Sequence, residues 1–405
     1  MISRINILKE HYEISNIVKR DLCMPSTERN LSLLFIMNVF ASIYFNMTAV
    51  FIPLFIRSLQ ASVFEVSLVL FAGNASSAIT MMLGGHLSDK YGRKRVMMLS
   101  GALWLITPLL YISAKTWPET ILYTAVSSIS FSFFIPARSA MIMDIARKSS
   151  AGRIYGLMNI AWPIGGLLWP FLGGMIADRY GWAAFFYFLC LLAFIYVFTN
   201  LFLAESVKRH RRIKEKDFEI PSGQIALILL FFILLHVLAN TSRGILSAIF
   251  PFYLTERFGK TKTEVGAFFS IGFGLATLIA QIPGGFLADT VGRKKTMVYS
   301  ILPIPLLSLL FIVTSDYLLT LLIYMGITSL WSATWPASTA YITDISPSSK
   351  KGLMVGVRLT SVRLGFTIGP LIGGFLWDNF DVQIIFYVLA LLMAAAFLMA
   401  LLLKE

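Results

Sequence analysis

A chain of 405 residues that is 57% hydrophobic, 14% charged and has a mean hydropathy of +0.76 cannot cover its own surface in water, because soluble domains carry roughly 25% charged residues. Its solvent is lipid, and a soluble enzyme is excluded. The net charge of +13 raises nucleic acid as a partner, and the placement of the charges described below argues against it.

In chain order, residues 1–30 form a polar tail. Arg4, Lys9, Glu10, Glu13, Lys19 and Arg20 interrupt any apolar run, so the tail is no signal peptide. Ile5, Leu8, Tyr12 and Ile17 allow a weak amphipathic helix on the membrane surface, and a mobile tail is equally compatible. A helix crosses about 30 Å of hydrocarbon with about 20 residues. Apolar runs of that size lie at 31–56, 62–87, 96–114, 119–145, 153–177 and 182–204. A linker at 205–222 follows, with Lys208, Arg209, Arg211, Arg212, Lys214 and Lys216. Runs resume at 223–255, 264–287, 296–314, 317–345, 353–377 and 383–403. The expectation is an all-α membrane protein of twelve transmembrane helices. Its two six-helix halves are 31–204 and 223–405, a cytoplasmic basic linker joins them, and both termini lie on one side.

Of the 34 basic residues, Arg57, Lys115, Arg179, Arg257, Lys260 and Lys262 fall in loops on one face, and Arg138, Arg243, Arg358 and Arg363 fall inside spans. All the others belong to the opposite face, with the termini and the linker. Lys and Arg mark cytoplasmic loops, so both termini are expected in the cytoplasm of a plasma-membrane protein. Cys23 and Cys190 lie far apart and suggest neither a disulfide framework nor a metal site.

Sliding the chain on itself by 200 residues aligns the halves. Gly85, Asp89, Gly92, Arg93 and Lys94 fall on Gly285, Asp289, Gly292, Arg293 and Lys294. Pro136, Ala137, Ala140 and Asp144 fall on Pro336, Ala337, Ala340 and Asp344. Gly165, Pro170, Gly173, Gly174 and Asp178 fall on Gly365, Pro370, Gly373, Gly374 and Asp378. One register held across three separate segments means two related bundles, with a pseudo-two-fold axis along the membrane normal and a substrate site between them near the midplane.

With these motifs the sequence resembles the major facilitator superfamily, drug-efflux-like branch, over nearly its whole length. That family's loop signature, G-x-L-x-D-x-x-G-R-K, occurs twice. Its fifth-helix signature, g-x-x-x-G-P-x-x-G-G, is complete in the eleventh span as Gly365, Gly369, Pro370, Gly373 and Gly374. In the fifth span Trp169 replaces one glycine. The resemblance associates this signature with exporters, and Trp169 departs from it. Glycines four apart share one helix face and admit a close neighbour. Pro370 adds a candidate kink.

Gly92 and Gly292 permit a tight turn. The resemblance implies that Asp89 accepts hydrogen bonds from the N-terminus of the eleventh helix, and Asp289 from that of the fifth. It also implies ion-pair relays of Asp89 with Arg93 and Asp144, and of Asp289 with Arg293 and Asp344. Such a lock holds the cytoplasmic side shut and breaks when it opens. The bland alternative is that the basic residues are topology signals alone.

A charge at membrane depth is expensive and marks function. Arg363 lies about 16 Å deep at 1.5 Å per residue. His236, Asn240, Arg243 and Ser247 form one polar stripe on the seventh span, facing protein or water. The resemblance places spans 1, 4, 7 and 10 around the cavity. Asn38, Ser42 and Asn46, then Ser127, Phe131 and Phe134, then Thr328, Trp331, Ser332 and Trp335 are their candidates, the aromatics suiting an amphipathic substrate. Arg138 and Arg358 read as gate or structural partners of Asp89 and Asp144. None of the 21 acids falls in the middle third of a span. His236 is the one midplane group that titrates near neutrality, against the blander reading of a hydrogen-bonded structural histidine.

Phe258-Gly259-Lys260-Thr261 resembles the end of a phosphate-binding loop but lacks its first glycine, and no hydrolase motif is present. The expectation is a secondary active transporter working by alternating access. It exports small amphipathic organic compounds, with proton antiport as the family default, no cofactor, no catalytic residue, no nucleic acid and a monomeric state. The alternative is an importer or exchanger of an organic anion, favoured by Arg243 and Arg363. A non-transporting sensor or scaffold is remote, since no large soluble domain exists to relay a signal.

Overall fold

The computed structural model describes residues 24–145, 151–206, 224–346 and 351–404. The tail readings, Cys23 and the basic cluster of the linker lie outside them. Among the described residues, twelve helices are long and apolar enough to cross a membrane. They are α1 (Glu28–Ser58), α2 (Val63–Tyr91), α3 (Arg93–Ser113), α4 (Glu119–Ile145), α5 (Gly156–Arg179) and α6 (Gly181–Leu201). The second set is α7 (Ala226–Arg257), α8 (Lys262–Thr290), α9 (Arg293–Val313), α10 (Tyr317–Asp344), α11 (Met354–Asn379) and α12 (Val382–Leu401). Several run past the expected apolar limits. α2 reaches Tyr91 and α3 begins at Arg93, because helical hydrogen bonding continues through polar interfacial turns.

Local chemistry sets the ends. Ser62 and Glu65 form a reciprocal capping box at the start of α2, and Thr261 and Glu264 form one at α8. The loop that resembled a phosphate-binding turn is therefore a helix start: Gly259 turns the chain at φ +63° and Thr261 caps. Gly92 and Gly292 sit at φ +106° and +111°, a region that L side chains rarely adopt. They break the α2–α3 and α8–α9 helices into tight corners.

In the first half α2 packs on α4 and α3 on α4 and α6; in the second, α8 packs on α10 and α7 on α11 and α12. Between halves, α2 lies on α11 and α5 on α8. The paired signature glycines divide this work. A Cβ on Gly165 would run into Ser42 and Ile43 of α1, and one on Gly173 into Met47. A Cβ on Gly174, the next residue, would meet Lys262 and Thr263 of α8 across the interface. Gly365, Gly369 and Gly373 likewise face α7, while Gly374 faces Phe64 and Ser67 of α2.

Two details depart from expectation. α11 is a continuous α-helix through Pro370. Its counterpart α5 is interrupted at Ile160 and Leu168, one residue before Trp169 and Pro170. Gly369 lets α11 lie against the α7 backbone; Trp169 has no such freedom and instead stacks on Phe188 of α6. α8 contains a π-helical stretch, Ser270–Leu275, where Gly274 meets Gly166 of α5. Extra-residue turns of this kind concentrate at functional positions.

Candidate functional site

The end carrying Gly92, Gly292 and the linker is called the linker end here. At the opposite end the halves are clamped. The Asp178 carboxylate, at the end of α5, accepts from the Thr263 backbone N–H and hydroxyl at 2.7 Å each, and from Lys262 Nζ at 3.2 Å. A carboxylate at a helix N-terminus gains from orphan N–H groups and the helix dipole. Its counterpart Asp378 accepts from the Phe64 backbone N–H at 2.9 Å, at the start of α2. Arg57 of α1 pairs with Glu256 of α7 at 3.0 Å. Deeper in, Phe171 N–H donates to Ser270 Oγ at 3.1 Å, and Asn74 Nδ2 donates to the Phe366 carbonyl at 3.1 Å. Beyond Asn74, toward the linker end, Ile79, Met82, Ile279, Ile282 and Phe286 are exposed, and no hydrogen bond or ion pair between described residues joins the halves there.

Between the halves lies a cavity of about 380 Å³. Of the expected substrate residues, Asn46, Ser127, Phe131, Arg243, Thr328, Trp331 and Arg363 line it, with Phe45, Phe273 and Phe366. Arg243 Cζ sits 5.6 Å from the Phe366 ring centre and 5.8 Å from those of Phe273 and Trp331. Arg363 Cζ sits 4.8 Å from the ring of Phe131 on α4 of the other half. The seven ion pairs among the described residues include neither arginine. No hydrogen bond joins either guanidinium to the protein there.

The rest of the stripe has a different fate. His236 Nδ1 donates to the Phe232 carbonyl at 2.8 Å, and Asn240 Nδ2 donates to the His236 carbonyl at 2.7 Å. Their own helix satisfies them, so the structural reading of His236 fits best. With Trp335 and Arg358 they line a separate pocket of about 40 Å³, against which Arg243 forms a shared wall. Two expectations are corrected. Asn38 is buried and donates to Met158 Sδ. Phe134 is 1% exposed, packed on Trp104 and Tyr196 in the core of the first half. Both point away from the cavity, because the face of α1 and α4 that meets α3, α5 and α6 also needs large or amide side chains.

Arg138 and Arg358 take structural places, and no ion pair joins either to Asp89 or Asp144 among the described residues. Arg138 donates to the Met158 carbonyl at 3.2 Å and Asn159 Oδ1 at 3.0 Å. Arg358 donates to Ser338 Oγ at 3.0 Å and lies 4.2 Å from the Trp335 ring. Positions 138 and 338, and 158 and 358, are repeat equivalents. Each half therefore ties its fourth helix to its fifth at one place, with the arginine supplied from opposite partners.

At the linker end the relay residues do meet. Arg93 contacts Asp89, and its Nε lies 3.3 Å from Asp144. Arg293 lies 3.1 Å from Asp289, and its Nε is 2.7 Å from Asp344 without hydrogen-bond alignment. The expected hydrogen bonds from α11 and α5 are absent among the described residues: Asp89 and Asp289 are exposed and joined to their own halves. Gly85 and Gly285 face nearly open space, and the close helix approaches are made by their neighbours Gly84, on α4, and Gly284, on α10. Sequence reasoning missed Glu205, which it left in the linker. Its carboxylate accepts from the backbone N–H of Arg93 at 2.9 Å and of Lys94 at 3.2 Å, capping α3. It missed the clamps of Asp178 and Asp378, although both recur at the 200-residue offset.

A twelve-helix bundle in two pseudo-symmetric halves, with a central cavity clamped at one end, defines a polytopic membrane transport protein handling small molecules. The family model "Major Facilitator Superfamily" matches residues 34–235 and again 232–405. Multidrug resistance protein 2 of Bacillus subtilis is 25% identical over 336 residues, covering 80% of this chain and 83% of that protein. Multidrug resistance protein MdtG of Salmonella heidelberg is 24% identical, covering 90% and 92%. The crystal structure of the nucleoside transporter NupG superposes with a TM-score of 0.79 at 13% identity, covering 93% of this chain and 100% of that one. The chain belongs to the major facilitator superfamily, and it resembles the drug-efflux members.

Proposed function

We propose that this protein is a secondary active transporter that exports small amphipathic organic compounds from the cytoplasm across the plasma membrane. The observation that carries this reading is the cavity between the halves, aromatic-lined and sealed at the end away from the linker. The excess of Lys and Arg at the linker end supports placing that end in the cytoplasm. The conformation is then the cytoplasm-facing one, with Asp89 and Asp289 released. The two relatives named multidrug resistance proteins support export and an amphipathic cargo. Both walls of the cavity come from one chain, so a monomer is the working unit, and the solute passes unchanged with no catalytic step.

Proton antiport is the coupling that family membership suggests. No carboxylate lines the cavity to carry the proton, so coupling needs a direct test. Purified protein in inside-out proteoliposomes is expected to accumulate a lipophilic dye when the lumen is acid, and to lose accumulation when a protonophore collapses the gradient. Dye movement that ignores the gradient and its direction would remove proton antiport. Absence of any carrier-mediated flux, for dyes of every charge, would remove the transporter reading.

A further inference from the structure

The two halves present unlike surfaces to the cavity. The second half contributes Arg243 from α7 and Arg363 from α11. The first half contributes neutral hydrogen-bonding groups, including Asn46, Ser127 and Ser128, and the rings of Phe45 and Phe131. Phe45 packs on Phe131 at 4.2 Å between ring centres, and Trp162 packs on both. No Asp or Glu lines the cavity.

Two guanidinium groups held in one half-buried chamber are a costly arrangement when nothing opposes them. Arginine stays charged, and a charge at this depth is stabilised by a counter-charge, water or ring faces. The protein supplies ring faces and no carboxylate. Aromatic rings lie near both guanidinium groups, and no hydrogen bond among the described residues uses their N–H groups, so the donors that fit a planar oxyanion remain unspent. Arg363 also reaches across the interface to Phe131, and that contact has to loosen when the halves rock.

We propose that the cavity selects amphipathic organic anions in a fixed orientation. A carboxylate or sulfonate lies between Arg243 and Arg363 on the second half, and the apolar or aromatic body lies on Phe45 and Phe131 of the first half, which Trp162 backs. This assignment rests on the transporter reading above and names its substrate class. The anion takes over Arg363 from the Phe131 face, so occupancy weakens a contact that ties the halves together.

The test uses full-length protein in detergent and three naphthalene probes of matched size: the sulfonate, the neutral naphthol and the trimethylammonium. Calorimetric titration is expected to show the sulfonate binding at least tenfold more tightly than the ammonium. Arg243→Gln and Arg363→Gln should each weaken sulfonate binding by about tenfold or more while naphthol binding stays within about threefold. Arg243→Lys and Arg363→Lys should fall between, because the charge survives and the planar fork is lost. Phe131→Ala should weaken sulfonate and naphthol by similar factors. Ammonium binding as tight as sulfonate in the unmodified protein overturns the proposal. So does equal loss of sulfonate and naphthol in the glutamine variants, which marks a structural role, or sulfonate affinity untouched in all four arginine variants. Counterflow of the same probes in proteoliposomes separates the two readings. Anion-selective binding without flux of any probe sinks transport and keeps the anion site. Flux that favours the ammonium keeps transport and sinks the anion site.

Discussion

Gly92 shows how much one residue can fix. Its φ of +106° turns α2 into α3, and a Cβ there would run into the Glu205 carboxylate that caps α3. Gly92→Ala is expected to lower stability by about 1–3 kcal/mol for the backbone alone, with a further loss as Glu205 is displaced from its cap. Gly85→Ala, seven residues earlier, meets only Pro136 Cβ at 3.9 Å and should stay within about 0.5 kcal/mol. Thermal unfolding of the two variants in one detergent measures the contrast, and equal melting temperatures would count against it. Sequence placed both glycines in one motif. Their backbone angles and neighbours separate them.

At the scale of elements, the comparison of α5 with α11 is the informative one. The repeat marks three glycines in both, with Trp169 standing where α11 has Gly369, and in both Gly173 and Gly373 face their own half while Gly174 and Gly374 face the other. Gly174 lies against the Lys262 backbone of α8, which cannot move aside as a side chain can. Gly174→Leu is therefore expected to prop the halves apart at the end away from the linker. Spin labels on Gln60→Cys and Lys260→Cys, in a background without Cys23 and Cys190, report that gap. A distance distribution that lengthens by several ångströms fits, and an unchanged one refutes the steric account. Gly173→Leu presses on Met47 and Phe51 of its own half, so it should reduce stability and leave the gap alone.

For the whole molecule, conformation is set by which end holds its carboxylates against helix N-termini. Here Asp178 and Asp378 do so at one end, while at the other Asp89 and Asp289 pair with Arg93 and Arg293 of their own halves. Each such contact is worth about 0.3–1 kcal/mol. Removing both in Asp178→Asn with Asp378→Asn should shift the population toward the other conformer by up to about thirtyfold. Asp89→Asn should do the reverse, holding the linker end open and slowing turnover without loss of folding. Among the described residues Asp89 pairs with Arg93, and with the carboxylate largely exposed this pair is worth at most about 1 kcal/mol. Cysteine labelling rates at each end read both shifts, and rates identical to the parent at both ends would discard the two-ended lock.

Hydrophobic run length, charge placement and the 200-residue register were sufficient to determine twelve spans, two related halves and the family. Those properties follow from bilayer thickness and from a duplicated pattern, and each is written along the chain. The sequence also marked Arg243 and Arg363, because a charge inside an apolar run is visible without a structure. Which face each polar residue takes was not written there. Asn38 and Phe134 turned out to be core, and His236 and Asn240 are satisfied by their own helix. The cage around Arg243 draws Phe273, Trp331 and Phe366 from three different helices, and the contact of Arg363 with Phe131 spans both halves. Only tertiary packing decides these, because helix rotation and the angle between the halves depend on side-chain volumes summed over many distant positions rather than on any local pattern.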